Sequence, residues 1–220
     1  MSGYVDPARV CETLAPLLLA GRRQRIDAAV ATRLRSLRVL IENLHDPHNG
    51  AAVLRSAEAF GVGHVDVVET TERFRFSSMV TQGCEKWLDI VRHPTTAGAM
   101  RALRDEGFAL YAAVPGAASR VEDLDFDRPA VVMVGNEHAG LGAEAVAAAD
   151  ARFGIPMYGM TQSLNLSVAA ALVIERAASL RRRALGRDGD LDAAEALALR
   201  ARFYAESVRG ADVVLRAKVR

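Results

Sequence analysis

Cysteine and histidine are scarce in this sequence. The chain has two cysteines, Cys11 and Cys84, whose spacing does not match a metal-binding motif, and its five histidines are scattered. The sequence therefore predicts no metal site. Because stable disulfides belong to oxidising compartments, so few cysteines favour a protein of the reduced cytoplasm.

Long hydrophobic runs are also missing. The run at residues 17–20 is too short for a signal peptide and leads directly into Arg22 and Arg23. No segment approaches the roughly 20 apolar residues of a membrane span. We therefore expect a cytoplasmic protein with no membrane partner. Its 220 residues, 50% of them hydrophobic, can form the core of one domain with small extensions.

Lysine is nearly absent, because all but two of the 28 Lys and Arg residues are arginines. The net charge of +1 is unevenly distributed: residues 1–40 carry a balance of +4, residues 176–220 one of +5, and the middle of the chain −8. Basic ends around an acidic centre favour binding of a polyanion such as nucleic acid. Two solvated, arginine-rich helices would give the same pattern, so charge alone leaves both interpretations open.

Apolar segments of strand length alternate with segments of helical periodicity. This order predicts an α/β fold with a mostly parallel sheet that helices cover on both faces. The one clear break, at residues 186–189, makes the last helix an appendage. Predicted strands lie near 38–42, 65–68, 87–91, 109–113, 130–134 and 152–155, and predicted helices near 7–36, 50–60, 95–106, 142–149, 163–183 and 190–207.

The segment at residues 43–61 is the most informative part of the chain. It follows a predicted strand, turns at Asp46-Pro47 and predicts a helix capped by Asn49-Gly50. Arg55 stands off the apolar stripe of that helix, near its first turns, where a guanidinium is well placed to bind an anion such as phosphate. An ordinary surface helix with a solvated arginine is the alternative interpretation.

Three further loops follow predicted strands, at residues 113–117, 135–141 and 155–165. In a parallel sheet, loops at the carboxyl ends of strands form the ligand site. The loops lack the lysine of a P-loop and the GxGxxG pattern of a dinucleotide site. Their small residues suit a nucleoside or a compact polar cofactor, although the first two could each be a plain turn.

Taken together, these segments resemble the three motifs of the SpoU branch of the SPOUT RNA methyltransferases. Motif 1 spans residues 43–61, motif 2 (Val134-Gly135-Asn136-Glu137…Gly140-Leu141) residues 134–141, and motif 3 (Ile155-Pro156-Met157…Ser163-Leu164-Asn165) residues 155–169. The basic lead-in at 22–26, His48, Lys86-Trp87 and the C-terminal extension are similar to the TrmH-type tRNA (guanosine-18-2′-O)-methyltransferases. Two features depart from that subgroup: Asp46 stands where a basic residue is frequent, and motif 2 reads Gly-Asn-Glu, as in many other SpoU branches.

The resemblance implies an α/β trefoil-knot fold in three segments. These are an N-terminal basic helical extension at 1–37, a SPOUT catalytic domain at 38–186 with a C-terminal knot, and a C-terminal helical extension at 187–220. It also implies a homodimer with the site at the subunit interface. The helix after residue 163, rich in small residues, is the expected dimer surface.

The resemblance further implies S-adenosylmethionine as the cofactor and tRNA as the partner, with no metal. The cofactor-binding residues would be Ala113, Gly135, Glu137, Ile155, Met157 and Leu164. The catalytic group would comprise Arg55, Asn49, Glu137, Ser163 and Asn165, with Asn49 orienting Arg55. RNA would contact Arg22, Arg23, Arg25, His48, Lys86, Arg181, Arg182 and Arg183.

The implied activity is 2′-O-methylation of a tRNA ribose, at guanosine 18 of the D-loop. A SpoU enzyme for ribosomal RNA or for the tRNA wobble ribose is the alternative within the family. A knotted RNA-binding protein without catalysis is the alternative from another class, and the intact catalytic group argues against it. Arg55 could act as base or as a clamp on an RNA phosphate, and a guanidinium pKa above about 12 favours the clamp.

Overall fold

Helices and strands alternate along the chain, as predicted, in a computed structural model that describes residues 6–74, 76 and 78–218. The strands are β1 (Leu34–Glu42), β2 (Val62–Val68), β3 (Asp89–His93), β4 (Ala109–Ala113), β5 (Ala130–Val134) and β6 (Ala151–Phe153). The helices are α1 (Pro7–Leu14), α2 (Ala20–Ala31), α3 (Pro47–Ala59), α4 (Ser78–Thr81), α5 (Thr96–Asp105), α6 (Ala143–Ala148), α7 (Leu166–Leu185), α8 (Ala193–Ser207) and α9 (Ala211–Lys218).

The six strands form one sheet in the order β3-β2-β1-β5-β4-β6. Every pairing between neighbours is parallel. The α/β class and the helical extensions at both ends are therefore confirmed. No helix in the described part of the chain is long and apolar enough to cross a bilayer.

Side chains of the central strands alternate between two hydrophobic clusters on opposite faces of the sheet. Val39 and Ile41 of β1 lie in the cluster that α3 and α7 cover, whereas Leu40 lies in the cluster that α5 covers. This is the two-residue period of an extended chain. Because both faces are covered, the whole of β5 is buried, which explains the uninterrupted apolar sequence of that strand.

The main deviation from the predicted elements lies before β1. The helix predicted at 7–36 is two helices joined by a 3₁₀ turn at Ala15–Leu17, and β1 already begins at Leu34. Pro16 lies in that turn, and proline interrupts helical hydrogen bonding because it has no amide proton. The prediction also missed α9, which follows Gly210 in a left-handed conformation with φ of 70°.

The chain divides into two compact units, residues 34–187 and a terminal unit of residues 1–33 and 188–220. Within the terminal unit, helices α1 and α2 pack against α8. Arg200 Nε donates to Asp27 at 2.8 Å, and a Cβ on Gly189 would lie 2.3 Å from the carbonyl oxygen of Ala31. The two extensions thus pack on each other. The boundaries at 37 and 187 remain predictions. The outermost residues of the predicted extensions, 1–5, 219 and 220, lie outside the described ranges.

A buried carboxylate closes the carboxyl end of β1. Glu42 is 3% exposed, and its Oε1 accepts a hydrogen bond from the hydroxyl of Thr96 at 2.5 Å. Its Oε2 accepts one from the backbone amide of Gly142 at 2.6 Å. Thr96 begins α5 and Gly142 caps α6, so one side chain ties the central strand to the starts of two helices. No role for Glu42 was predicted from the sequence.

Replacing Glu42 by leucine should lower the free energy of unfolding by about 1–3 kcal/mol, because it leaves two hydrogen-bond donors without their acceptor. Glu42→Gln is the matched control. Its amide oxygen can accept from Gly142 while its NH₂ donates to the hydroxyl oxygen of Thr96. Urea denaturation should therefore place the glutamine variant close to the wild type. Equal stability of all three proteins would contradict this role of Glu42.

Candidate functional site

The three sequence motifs converge at the carboxyl edge of the sheet in the unit of residues 34–187. Motif 1 follows β1, motif 2 begins at the end of β5, and motif 3 follows β6. Parallel strands present their carboxyl ends at the same edge, which is where open α/β sheets bind ligands. Segments separated by about 120 positions in the sequence are thus brought together by strand order.

Motif 1 contains a helix start that differs from the predicted one. Asp46, not Asn49-Gly50, caps α3: its side chain accepts a hydrogen bond from the amide of His48 at 2.8 Å. Pro47 occupies the first helical position, where its missing amide proton costs nothing. The cap was misplaced because both Asp and Asn are common caps. Asn49 is consequently free to use its side chain elsewhere.

Two hydrogen bonds join all three motifs. Asn49 Nδ2 donates to Glu137 Oε1 at 3.0 Å, and Asn165 Nδ2 donates to Asn49 Oδ1 at 3.2 Å. Asn49 is 8% exposed, so its amide lies within this network. These hydrogen bonds join Asn49 to motifs 2 and 3. They therefore do not support the expectation that Asn49 orients Arg55.

Glu137 also holds the backbone of motif 1. Its carboxylate accepts hydrogen bonds from the amides of His45 and Asp46, both at 3.1 Å. Burial raises the pKa of Glu137, but the hydrogen bonds from Asn49 and from the backbone amides of Glu137, His45 and Asp46 outweigh it, so the pKa lies below its usual value. Glu137 is therefore ionised at neutral pH and acts as a hydrogen-bond acceptor.

Motif 2 is a closed turn that only glycine allows at its base. Asn136 and Gly140 exchange two backbone hydrogen bonds of 2.9 Å, and a Cβ on Gly135 would lie 2.1 Å from the carbonyl carbon of Gly140. Asn136 Nδ2 donates to the carbonyl oxygen of Asn43 at 2.8 Å. Asn43 itself has a left-handed φ of 50°. Asn43 and Asn136 lie within motifs 1 and 2, and the sequence alone predicted no role for either of them.

A cavity of about 380 Å³ lies between motifs 2 and 3 and the loop after β4. This volume falls within the range of small-molecule sites, about 300–1,000 Å³. Its wall is mostly main chain and apolar side chains, to which Ala169 and Val173 of α7 contribute one helical turn apart. The six predicted cofactor residues all line it: Ala113, Gly135, Glu137, Ile155, Met157 and Leu164.

A second, wider cavity of about 580 Å³ lies beside the start of α3. Four of the predicted catalytic residues line it, namely Asn49, Glu137, Ser163 and Asn165. The two cavities share Glu137 and Ser163, and also His138, Leu164 and Leu166. The two cavities are thus adjacent along these residues. His45 and His138, which sequence reasoning left without a role, also line the wider cavity.

Arg55 is not among the residues that line either cavity in the described part of the chain. It is exposed on α3, and its Nη1 donates to the carbonyl oxygen of Val80 at 3.4 Å. Ser163 is exposed and precedes α7, whose cap is Asn165, with its side chain accepting from the amide of Ser167 at 2.9 Å. The helix predicted from residue 163 therefore begins three residues later, at Leu166.

The structure contradicts the prediction that Arg181 contacts RNA. It is 6% exposed, and its guanidinium donates to the hydroxyl of Ser36 at 2.7 Å and to the carbonyl oxygen of Phe126 at 2.8 Å. It faces inward because α7 packs on the sheet along this side. Arg182 is half-buried and donates to the carbonyl oxygen of Phe60 at 2.9 Å. The other predicted contacts are exposed: Arg22, Arg23, Arg25, His48, Lys86 and Arg183.

Comparison with known proteins places this site in a family. The SpoU rRNA Methylase family model matches residues 36–175. A tRNA (guanosine(18)-2′-O)-methyltransferase of Thermus thermophilus is 39% identical over 164 residues, which is 74% of this chain and 84% of that protein. The Escherichia coli protein of the same name is 36% identical over 74% of this chain and 72% of its own length.

Solved structures of SpoU enzymes are also similar to this chain. The A. aeolicus TrmH/SpoU tRNA modifying enzyme superposes with a TM-score of 0.75 at 29% identity, over 86% of this chain and 98% of its own. The SpoU methyltransferase AviRb from Streptomyces viridochromogenes, in complex with AdoMet, gives 0.62 at 28% identity over 71% and 64%. The predicted SPOUT fold class is confirmed. Because the family model covers more than half of the sequence, this chain belongs to the SpoU rRNA Methylase family.

Proposed function

We propose that the protein is an S-adenosylmethionine-dependent methyltransferase that methylates the ribose 2′-hydroxyl of guanosine 18 in tRNA. The observation that carries this proposal is the wall shared by the two cavities, which contains Glu137, Ser163 and Leu164. A methyl donor in one cavity and an RNA ribose in the other would both contact these residues. The methyl group and the ribose hydroxyl would then lie close together. The names of the Thermus thermophilus and Escherichia coli relatives supply the nucleotide.

The narrower cavity suits the cofactor. An adenine ring packs between apolar side chains and pairs its polar edge with main-chain groups. This cavity offers Ile155 and Leu164 beside the backbone of motif 2. AviRb, a structural neighbour, contains AdoMet. We assign Ile155 and Leu164 to the two faces of the adenine. When bound, the cofactor supplies an electrophilic methyl group.

The chain must orient a poor nucleophile, since a ribose hydroxyl reacts only as it loses its proton. The ribose oxygen would attack the methyl carbon as that proton passes to water, with a neutral thioether as the leaving group. A guanidinium keeps its proton because its pKa lies above about 12. We therefore assign Arg55 to a bidentate grip on an RNA phosphate, which would fix the ribose beside the cofactor cavity. Asn49, Ser163 and Asn165 would position the ribose, and ionised Glu137 would hold the three motifs in register.

A second subunit would complete the site. Exposed large hydrophobic side chains concentrate in motif 3 and on α7, and the guanidinium of Arg55 lies outside both cavity walls of its own chain. Apolar surface of this kind is typical of a homodimer interface. The exposed large hydrophobic side chains of these two segments are Met157, Tyr158, Met160, Val168 and Leu172.

The proposed dimer predicts that Leu172→Glu dissociates the protein into monomers. An unpaired carboxylate buried at an interface costs about 3–5 kcal/mol, so the dimer Kd should rise at least about 100-fold. Sedimentation equilibrium measures this. Val213→Glu, at an equally apolar and 66% exposed position of α9, is the control and should leave the dimer intact. A monomeric wild-type protein would rule out the interface.

RNA capture would use the exposed basic side chains, with Arg22, Arg23 and Arg25 on α2 and Lys86 and Arg183 nearer the motifs in sequence. Such contacts to phosphates contribute affinity without reading bases. Since tRNA is the proposed substrate, we place the protein in the cytoplasm.

The proposed function can be tested with two tRNA transcripts that differ in one atom. We expect the protein and S-adenosylmethionine to methylate the unmodified transcript at guanosine 18, mapped by mass spectrometry of nuclease fragments. A transcript with 2′-deoxyguanosine at position 18 lacks the acceptor oxygen and should gain no methyl group. Methylation of both transcripts, of the wobble ribose, or of ribosomal RNA instead would refute guanosine 18 as the target.

Arg55→Ala should abolish methyl transfer and leave cofactor affinity nearly unchanged, because Arg55 lies outside the cofactor cavity. By analogy with the loss of one charge-stabilising donor, the barrier should rise by at least about 3–4 kcal/mol. Single-turnover kinetics measures the first effect and calorimetry the second. Arg55→Lys keeps the charge but not the planar fork, so it should recover little activity. A large loss of cofactor binding would show that Arg55 is misplaced in this scheme.

A further inference from the structure

The wider cavity has an unusual charge for a site that must admit RNA. Two carboxylates line it, Asp46 and Glu137. Among the described residues of its wall there is neither an arginine nor a lysine. A phosphodiester entering this space would be repelled unless another group supplied positive charge. The only side chains of this wall that can become cationic are His45 and His138.

The two imidazoles lie near each other in the lining of the wider cavity. Their ring centroids are 6.4 Å apart, with an angle of 57° between the planes. His45 belongs to motif 1 and is 62% exposed, and His138 belongs to motif 2 and is also exposed. The amide of His138 donates to Asn136 Oδ1 at 2.9 Å, which fixes the backbone that presents the ring.

We propose that His45 and His138, in their protonated forms, bind a phosphodiester of the substrate RNA beside the target ribose. This inference rests on the proposed function, because it takes RNA as the substrate. It adds a pair of binding residues and makes RNA affinity depend on pH. His138 lines both cavities, so a phosphate held there would lie next to the cofactor cavity.

The charged groups around the pair define its electrostatics. On the side of motif 1, Glu72 Oε1 lies 3.4 Å from Nδ1 of His45, and Asp46 follows in sequence. On the side of motif 2, Glu137 precedes His138. With both imidazoles neutral, the two carboxylates of the wall leave a formal charge of −2, and protonation of His45 and His138 brings it to zero.

Proton uptake and RNA binding must then be linked. If a phosphate binds the imidazolium more tightly than the imidazole, RNA affinity falls as pH rises and the two rings lose their protons. A bound-state pKa raised by one unit corresponds to about a tenfold change in affinity for each proton. Affinity at low pH should also depend on salt, because the contact is ionic.

The test is binding of unmodified tRNA in the absence of cofactor, measured by fluorescence anisotropy from about pH 6 to about pH 8.5 at constant ionic strength. We expect the wild-type Kd to rise at least about tenfold across this range. In the double variant His45→Gln, His138→Gln, the Kd should be nearly flat and close to the wild-type value at high pH. Each single variant should retain part of the dependence.

His64→Gln is the matched control, since His64 lies on β2 with Nε2 3.6 Å from Asp89 and does not line either cavity. It should keep the full pH dependence. A flat wild-type profile, or a dependence that survives in the double variant and disappears only with His48→Gln, would overturn the inference. Absence of tRNA binding at every pH would refute the proposed function as well, whereas pH-independent binding would refute this inference alone.

Discussion

The carboxylate of Glu137 is the interaction on which the site depends. It accepts hydrogen bonds from the backbone of motif 1 at His45 and Asp46 and from the side chain of Asn49, which in turn contacts Asn165 of motif 3. Each donor alone contributes modestly, but several donors on one ionised, partly buried acceptor reinforce one another. Because the motifs lie on separate loops, this one acceptor holds together segments that line both cavities.

Glu42 performs the complementary task from inside the sheet. Glu137 joins loop to loop, whereas Glu42 joins the end of β1 to the starts of α5 and α6 through Thr96 and Gly142. Between the two carboxylates, the carbonyl oxygen of Asn43 receives the side chain of Asn136. Four of the five residues at 42–46 therefore hold motif 2 and the residue that follows it, at Asn136, Glu137 and Gly142. Rigid support of this kind keeps binding groups in place without a ligand.

Periodicity was sufficient for the central strands and insufficient for the contacts between them. Strands β4 and β5 have the predicted bounds, because uninterrupted apolar segments flanked by polar turns have few alternatives. The helix cap at Asp46 was misassigned to Asn49-Gly50, since neighbouring Asx residues offer competing caps. Arg181 was taken for a surface residue because a sequence does not show which side of a helical arginine cluster packs inward. The family motifs, not periodicity, predicted six residues that line one cavity, which we propose for the cofactor.

The strand order has a consequence for biosynthesis. Strand β1 pairs with β5, whose residues follow about 90 positions later, and α1 and α2 pack on α8, which lies near the end of the chain. A ribosome delivers the amino-terminal helices and motif 1 long before their partners exist. The apolar faces of α1, α2 and α3 must therefore stay uncovered during most of translation. Assembly of the methylation site therefore waits until motif 3 and α7 have been synthesised, and contacts this distant in sequence also slow folding.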